Sequence, residues 1–230
     1  MSISKNKSDS VFRPVETCRG ITLFAALCLA VSGARAGAYA GFDADQEGSR
    51  TTFLGIQGGD GLVYELFVGD IAYKYLDSGA TVKVNQKIIT PTIGIRRSGQ
   101  WNFSASVGPT YNIKKEDNGV TKVEDTHTGG VVKLSLTSYQ LGKSRELLGS
   151  YSTVDDFIWT RARLKKSIAN NVAVGGEIFW MGNQDAKSYG AGILFDLSGE
   201  SGGVTFKLGY KTSTNGEQTV YEGLDAYIPF

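Results

Sequence analysis

The chain is poor in the residues that bind metals and act as nucleophiles. Among its 230 residues there are two cysteines, Cys18 and Cys28, and one histidine, His127. Both cysteines precede residue 36, so the remainder can form neither a disulfide nor a thiolate metal site. One histidine without cysteine supplies too few ligands for a zinc centre. We therefore expect no metal and no cofactor.

The sequence also lacks an apolar run long enough to span a bilayer as a helix. Residues 21–31 form an apolar run of 11 residues, whereas a transmembrane helix needs about 20. This run follows a positively charged leader and precedes Ala34-Arg35-Ala36, which has the small-x-small form of a cleavage site. Residues 1–36 are therefore predicted to be a cleaved signal peptide, with cleavage after Ala40 as the alternative. Residues 37–230 are predicted to be the mature domain.

A strong excess of either charge is absent as well. The whole chain has 24 basic and 23 acidic residues. The predicted signal peptide contains five of the basic and two of the acidic ones, which leaves 19 and 21 and a net charge of −2. A field this weak gives no support to nucleic-acid binding, and we expect none.

Alternation with a period of two is abundant in the mature chain. In residues 101–111, Trp101, Phe103, Val107 and Tyr111 lie on one face and small or polar residues lie on the other. Residues 220–230 alternate similarly and end on an aromatic residue. This period is typical of half-buried strands. A terminal strand that ends on phenylalanine is typical of bacterial outer-membrane barrels, so we expect the barrel-assembly machinery to bind the Phe230 terminus.

The alternation predicts an all-β fold, an antiparallel transmembrane β-barrel of about 12 strands in the outer membrane of a Gram-negative bacterium, surrounded by membrane lipid. Ten strands are the fallback, and a soluble β-sandwich is the alternative fold. The longest loop is expected at residues 113–126, where charged residues cluster. The predicted strands are residues 38–45, 50–57, 62–75, 86–97, 101–111, 127–137, 147–153, 157–166, 172–181, 188–197, 204–212 and 220–230.

The faces opposite the apolar ones then define the lumen. The residues predicted to line it are Trp159, Arg161, Arg163, Glu177, Asp196, Lys207 and Asp225. The two arginines are expected to face the three carboxylates. Two interpretations stay open: a paired ladder that closes the lumen, because unpaired buried charges are costly, and a small pore that selects anionic or sugar-like solutes.

Catalysis has little support in the sequence. Lipid-modifying barrel enzymes need a histidine beside a serine nucleophile. His127 has glycine, Gly129, at the i+2 position on its own face. We therefore expect no enzyme, no catalytic residue and no metal ligand, and a lipid-modifying barrel enzyme is the least favoured alternative.

Short segments throughout the mature chain are similar to one known family. They are Gly149-Ser150-Tyr151-Ser152 followed by Trp159 and Arg161, Gly176-Glu177, Met181-Gly182-Asn183 ahead of Tyr189-Gly190-Ala191, Ala40-Gly41-Phe42-Asp43, and the residue pair Tyr73 and Tyr75. In these segments the chain resembles the bacterial cellulose biosynthesis protein BcsS family of small exported β-proteins. The resemblance implies a non-enzymatic outer-membrane accessory of cellulose or exopolysaccharide biosynthesis or export. The partners it implies are glucan, other exopolysaccharide or cellulose-secretion components.

Overall fold

The computed structural model describes residues 36–77, 80–183, 186–213 and 216–230. Apart from Ala36, the predicted signal peptide lies outside these residues. Within these ranges, no helix is long and apolar enough to span a membrane. The strands are β1 (Gly37–Asp45), β2 (Arg50–Gly58), β3 (Leu62–Asp77), β4 (Ala80–Arg97), β5 (Asn102–Asp117), β6 (Lys122–Gln140), β7 (Lys143–Ser152), β8 (Phe157–Ala169), β9 (Val172–Gly182), β10 (Lys187–Gly199), β11 (Gly202–Ser213) and β12 (Gln218–Pro229).

These strands form one closed antiparallel barrel. Each strand pairs with its neighbours in sequence, and β1 closes the ring by pairing with β12 from Gly37 opposite Pro229 to Asp45 opposite Tyr221. The predicted twelve-stranded barrel is confirmed, and both the ten-stranded fallback and the two-sheet sandwich are wrong. Closure leaves no free sheet edge. A sheet that spans a membrane must be closed in this way, because lipid cannot hydrogen-bond to the backbone groups of an open edge.

The barrel has two distinct rims. The terminal rim is the one at which β1 begins and β12 ends, and the distal rim is the opposite one. Strands β3 to β6 have 16, 18, 16 and 19 residues, whereas β1 and β2 have nine each. Strand β2 stops pairing with β3 at Ala72, whereas β3 continues to pair with β4 as far as Asp77 and β5 pairs with β6 as far as Asp117. The hairpins β3–β4 and β5–β6 therefore project beyond the rest of the distal rim.

The predicted loop at residues 113–126 is wrong. Strand β5 continues to Asp117 and β6 begins at Lys122, so the connection is a tight turn at the tip of a hairpin. The charges that suggested a loop pair between the strands, with Lys115 at 2.8 Å from Glu124. A strand that has left the membrane meets water on its outward face, so polar residues replace the apolar ones there while the ladder continues.

The barrel is apolar outside and polar inside. Ile178 on β9 and Ile193 on β10 are 62% and 67% exposed on the outward face. Thr92, Glu177 and Lys207 are buried on the inward face. This arrangement inverts that of a soluble protein and matches a barrel whose outer surface contacts lipid hydrocarbon.

Ile178 lies near the middle of β9 and provides a test of the lipid-facing surface. Ile178→Arg should lower the free energy of unfolding in lipid vesicles by about 2–4 kcal/mol, because it places a charge near the bilayer midplane. Thr126→Arg is the control, since Thr126 is exposed near the distal end of β6. This substitution should change stability by about 1 kcal/mol or less. Equal losses in the two variants, measured by denaturant titration, would contradict this placement of the membrane.

Candidate functional site

Charged side chains cross the interior of the barrel. Arg163 on β8 donates to Glu177 Oε2 on β9 at 2.7 Å and to Asp225 Oδ2 on β12 at 2.6 Å. Strands β8 and β12 are separated by three other strands in the ring, so the second bond runs through the lumen. Arg163 is 6% exposed. It is therefore the centre of a buried set of ion pairs.

Arg161 extends this set toward the distal rim. Its guanidinium donates to Glu146 Oε1 on β7 at 3.0 Å and lies 3.6 Å from Asp225 Oδ2. It also lies 5.2 Å from the centre of the Trp159 ring, a cation–π distance. The indole and the two carboxylates together hold the Arg161 guanidinium in the lumen.

Lys207 on β11 approaches from the other side. Its Nζ lies 2.5 Å from Asp43 Oδ1 on β1 and 2.8 Å from Asp225 Oδ1, and its side chain is 2% exposed. The two carboxylate oxygens of Asp225 thus form ion pairs with Arg161, Arg163 and Lys207. Burying this many charges is tolerable only because each one is paired.

Two further ion pairs flank the centre. Lys165 pairs with Asp196, which also accepts a hydrogen bond from the Thr205 hydroxyl at 2.7 Å. Lys211 pairs with Asp45 near the distal rim. We call the whole set the lumen network; it comprises Asp43, Asp45, Glu146, Arg161, Arg163, Lys165, Glu177, Asp196, Lys207, Lys211 and Asp225.

A second group, the Glu65 cluster, occupies the opposite wall. Glu65 on β3 accepts hydrogen bonds from Lys133 on β6 at 3.0 Å and from the Tyr39 hydroxyl on β1. The Lys133 ammonium also lies 4.7 Å from the centre of the Phe67 ring. Since β3 and β6 are separated by two strands, this group bridges the interior as well.

Glycines on the inward face leave room for these side chains. Gly223 on β12 is paired with Asp43 on one side and with Lys207 on the other. A Cβ at Gly223 would lie 2.7 Å from Lys207 Cε and would also clash with Asp43 Oδ1. The ion pair between these two residues therefore passes directly over the bare backbone of β12.

A small cavity adjoins the lumen network. A cavity of about 80 Å³ remains on its distal side, bounded by Trp159, Arg161, Lys207 and Tyr221 among others. Sites for small organic ligands are usually about 300–1,000 Å³. This cavity is large enough for water molecules but too small for a sugar ring.

The structure brings the predicted lumen residues together on one side of the interior. Asp196 pairs with Lys165, so the expectation that it faces the two arginines is wrong. Lys165 reaches Asp196 across the single intervening strand β9, whereas Arg163 points toward Glu177 and Asp225. The role of the seven residues in solute passage stays a prediction.

Sequence reasoning missed several members of this interior. Glu146 lies directly opposite Arg163 in the β7–β8 pairing, and Tyr221 donates to Glu177 at 2.9 Å. Glu65 and Lys133 were also missed. Their inward direction follows from the period of two, but their partners follow only from the strand register.

The described residues show no catalytic arrangement around the histidine. His127 is exposed, pairs across the ladder with Asn112, and makes no side-chain hydrogen bond within the described ranges. In the same part of the chain, no group of three or more His, Cys, Asp or Glu residues is placed to hold a metal ion.

Solved structures share this architecture. The transport unit of the autotransporter AIDA-I from Escherichia coli matches with a TM-score of 0.53 at 10% identity, over 95% of this chain and all of that one. The KdgM porin in complex with disordered oligogalacturonate matches with a TM-score of 0.48 at 6% identity, over 84% of this chain and 99% of that one. LpxR from Salmonella typhimurium has a TM-score of 0.48 and 10% identity over the same shares. At 10% identity the match to the AIDA-I transport unit concerns the fold alone.

Sequence comparison gives a family. No curated protein matches the chain. The profile of the family described as "Cellulose biosynthesis protein BcsS" matches residues 22–230, which is most of the chain. The chain therefore belongs to the cellulose biosynthesis protein BcsS family.

Proposed function

We propose that the protein is a non-enzymatic accessory of cellulose biosynthesis or export in the outer membrane of a Gram-negative bacterium. Family membership supports the link to cellulose. The closed barrel with an apolar exterior supports the outer membrane. Within this setting the protein acts at the cell surface as a binding or organising component, with glucan, other exopolysaccharide or secretion components as partners.

The lumen network is the observation that carries this proposal over the alternative of a general pore. Arg163, Asp225 and Lys207 connect β8, β12 and β11 through the lumen. A solute would have to break buried, paired charges to pass them, which is costly. The lumen network therefore acts as a closure.

The orientation in the membrane follows the general pattern of bacterial barrels. Short turns face the periplasm and longer elements face outward. We infer that the terminal rim, where the Phe230 terminus lies, is periplasmic and is read by the barrel-assembly machinery. The projecting β3–β4 and β5–β6 hairpins then extend outside the cell, where exported polymer is found.

A lipid-modifying enzyme is the least favoured alternative. His127 is exposed and hydrogen-bonds to no side chain of the described residues. A general base in such an enzyme needs an orienting partner. Release of fatty acid from lipid A or phospholipid by the purified protein, abolished in His127→Ala, would overturn the non-enzymatic proposal.

Planar-bilayer recording tests the closed lumen. The wild-type protein should show no steady single-channel steps, because buried ion pairs of the lumen network and of the Glu65 cluster bridge the interior. Regular current steps that survive purification to homogeneity would favour the pore alternative instead.

Deletion of the gene tests the cellular role. We expect altered cellulose deposition, seen as a weakened pellicle and less dye-binding polymer at the surface, with restoration by the wild-type gene. Glucan synthesis in isolated inner membranes should not change, since the proposed role lies in the outer membrane. An unchanged pellicle and unchanged surface polymer would contradict the proposed function.

A further inference from the structure

A cleft opens on the outward face of the barrel at the distal rim, separate from the lumen network. It lies across β9, β10 and β11, where Tyr189 is paired directly with Trp180 on one side and with Thr212 on the other. Its volume is about 310 Å³, and it is lined by Trp180, Lys187, Tyr189, Thr212, Ser213 and Gly216.

The volume distinguishes this cleft from the cavity in the lumen. Small-ligand sites begin at about 300 Å³, so the cleft falls at the lower end of that range and the lumen cavity of about 80 Å³ falls well below it. Of the two spaces, only the outer cleft is large enough for sugar rings.

The lining residues combine flat apolar surfaces with polar groups. Trp180 and Tyr189 lie opposite each other in the β9–β10 register, and Tyr189 is 56% exposed. A β-linked glucose ring presents apolar C–H faces and carries its hydroxyls around the edge. The aromatic rings match the faces of the sugar. The Thr212 hydroxyl can donate to or accept from the edge hydroxyls, and the Lys187 ammonium can donate to them.

The position of the cleft also suits a polymer outside the membrane. Strand β9 ends at Gly182 and β10 begins at Lys187, so Trp180 and Tyr189 lie in the last outward-facing rows before the strands end. A chain lying along this rim would remain in water while touching the ring faces. Aromatic rings at the ends of strands also form membrane-interface belts. If these rings served only as such a belt, the protein would not bind a soluble glucan.

We propose that this cleft binds a short segment of β-1,4-glucan. The assignment rests on the proposed function, because family membership supplies the link to cellulose. It names Trp180 and Tyr189 as the stacking surfaces and Thr212 as a hydrogen-bonding group.

Binding of cellohexaose to the mature protein in detergent micelles tests the assignment by calorimetric titration. Trp180→Ala and Tyr189→Ala should each raise the Kd by about tenfold, the loss of one aromatic stacking contact. Trp101→Ala is the matched control, because Trp101 lies beside the opposite rim, next to the start of β5, and its removal should leave the Kd unchanged. Heat-modifiable migration on gels verifies that each variant is folded, and Trp180→Leu and Thr212→Val replace any variant that is not.

The outcomes separate the site from the function. Cellohexaose binding that is equally strong in wild type, Trp180→Ala and Tyr189→Ala would overturn the site and leave the proposed function intact. Binding lost in Trp159→Ala but retained in Trp180→Ala would place the glucan at the lumen mouth and would overturn the assignment. No binding by the wild type would also overturn the assignment, and this is the result expected if the aromatic rings serve only as a membrane-interface belt. The pellicle of the deletion strain tests the proposed function independently.

Discussion

Replacing Arg163 with alanine should lower the free energy of unfolding by about 3–5 kcal/mol, because the cation of two buried ion pairs is removed while both carboxylates remain. Glu177 and Asp225 would lose their bonds at 2.7 and 2.6 Å and face each other in a space shielded from bulk water. Denaturant titration in detergent micelles measures the change. Loss of heat-modifiable migration at a lower temperature should accompany it.

Arg145→Ala is the matched control for this prediction. Arg145 lies on β7, adjacent to β8, but it is exposed and its guanidinium is 5.9 Å from the Trp101 ring. Exposed charge contacts are worth about 1 kcal/mol or less. An Arg163→Ala barrel as stable as the Arg145→Ala barrel would contradict the buried network.

The double variant Arg161→Ala with Arg163→Ala extends the test from stability to transport. It removes two cations and leaves Glu146, Glu177 and Asp225 around the centre of the lumen. Any current that this variant passes should be cation-selective, since fixed charges lining a pore determine which ions enter. Anion selectivity would show that these side chains do not line the conducting path.

Gly223→Leu should have an effect of similar size, about 3–5 kcal/mol of lost stability or failure to assemble. A side chain at this position enters the space between Asp43 and Lys207 and separates them. Overpacking alone costs about 1–3 kcal/mol, and separating a buried ion pair adds to it. The yield of folded barrel and its denaturant midpoint measure the effect.

Gly130→Leu is the control for the glycine substitution. Gly130 is also a strand residue, but a Cβ there meets nothing within 4 Å. This control variant should fold normally and remain within about 1 kcal/mol of wild type. If the two variants were equally destabilised, strand propensity and not the closeness of the ion pair would explain the loss at Gly223.

The sequence alone determined the number of strands and the faces of the clearest ones. Residues 101–111 and 220–230 alternate with a period of two, and this local property does not depend on any partner strand. The directions of Arg161, Arg163 and Lys207 follow from the same period. The sequence misled at residues 113–126, because charge clusters occur both in loops and in strands that continue beyond the membrane.

Only the tertiary structure decided which inward residues meet. The alternation of side chains along a strand places Asp196 and Asp225 on inward faces, but it gives no information on which cation each carboxylate contacts. The registers of the consecutive strands β8 to β12 bring Arg163 to Asp225 and Lys165 to Asp196. The registers of β3 to β6 likewise bring Lys133 to Glu65, which lies 68 residues earlier in the chain. These contacts are non-local, since they depend on how far each strand is shifted along its neighbour around the whole ring, and no short segment of sequence encodes that shift.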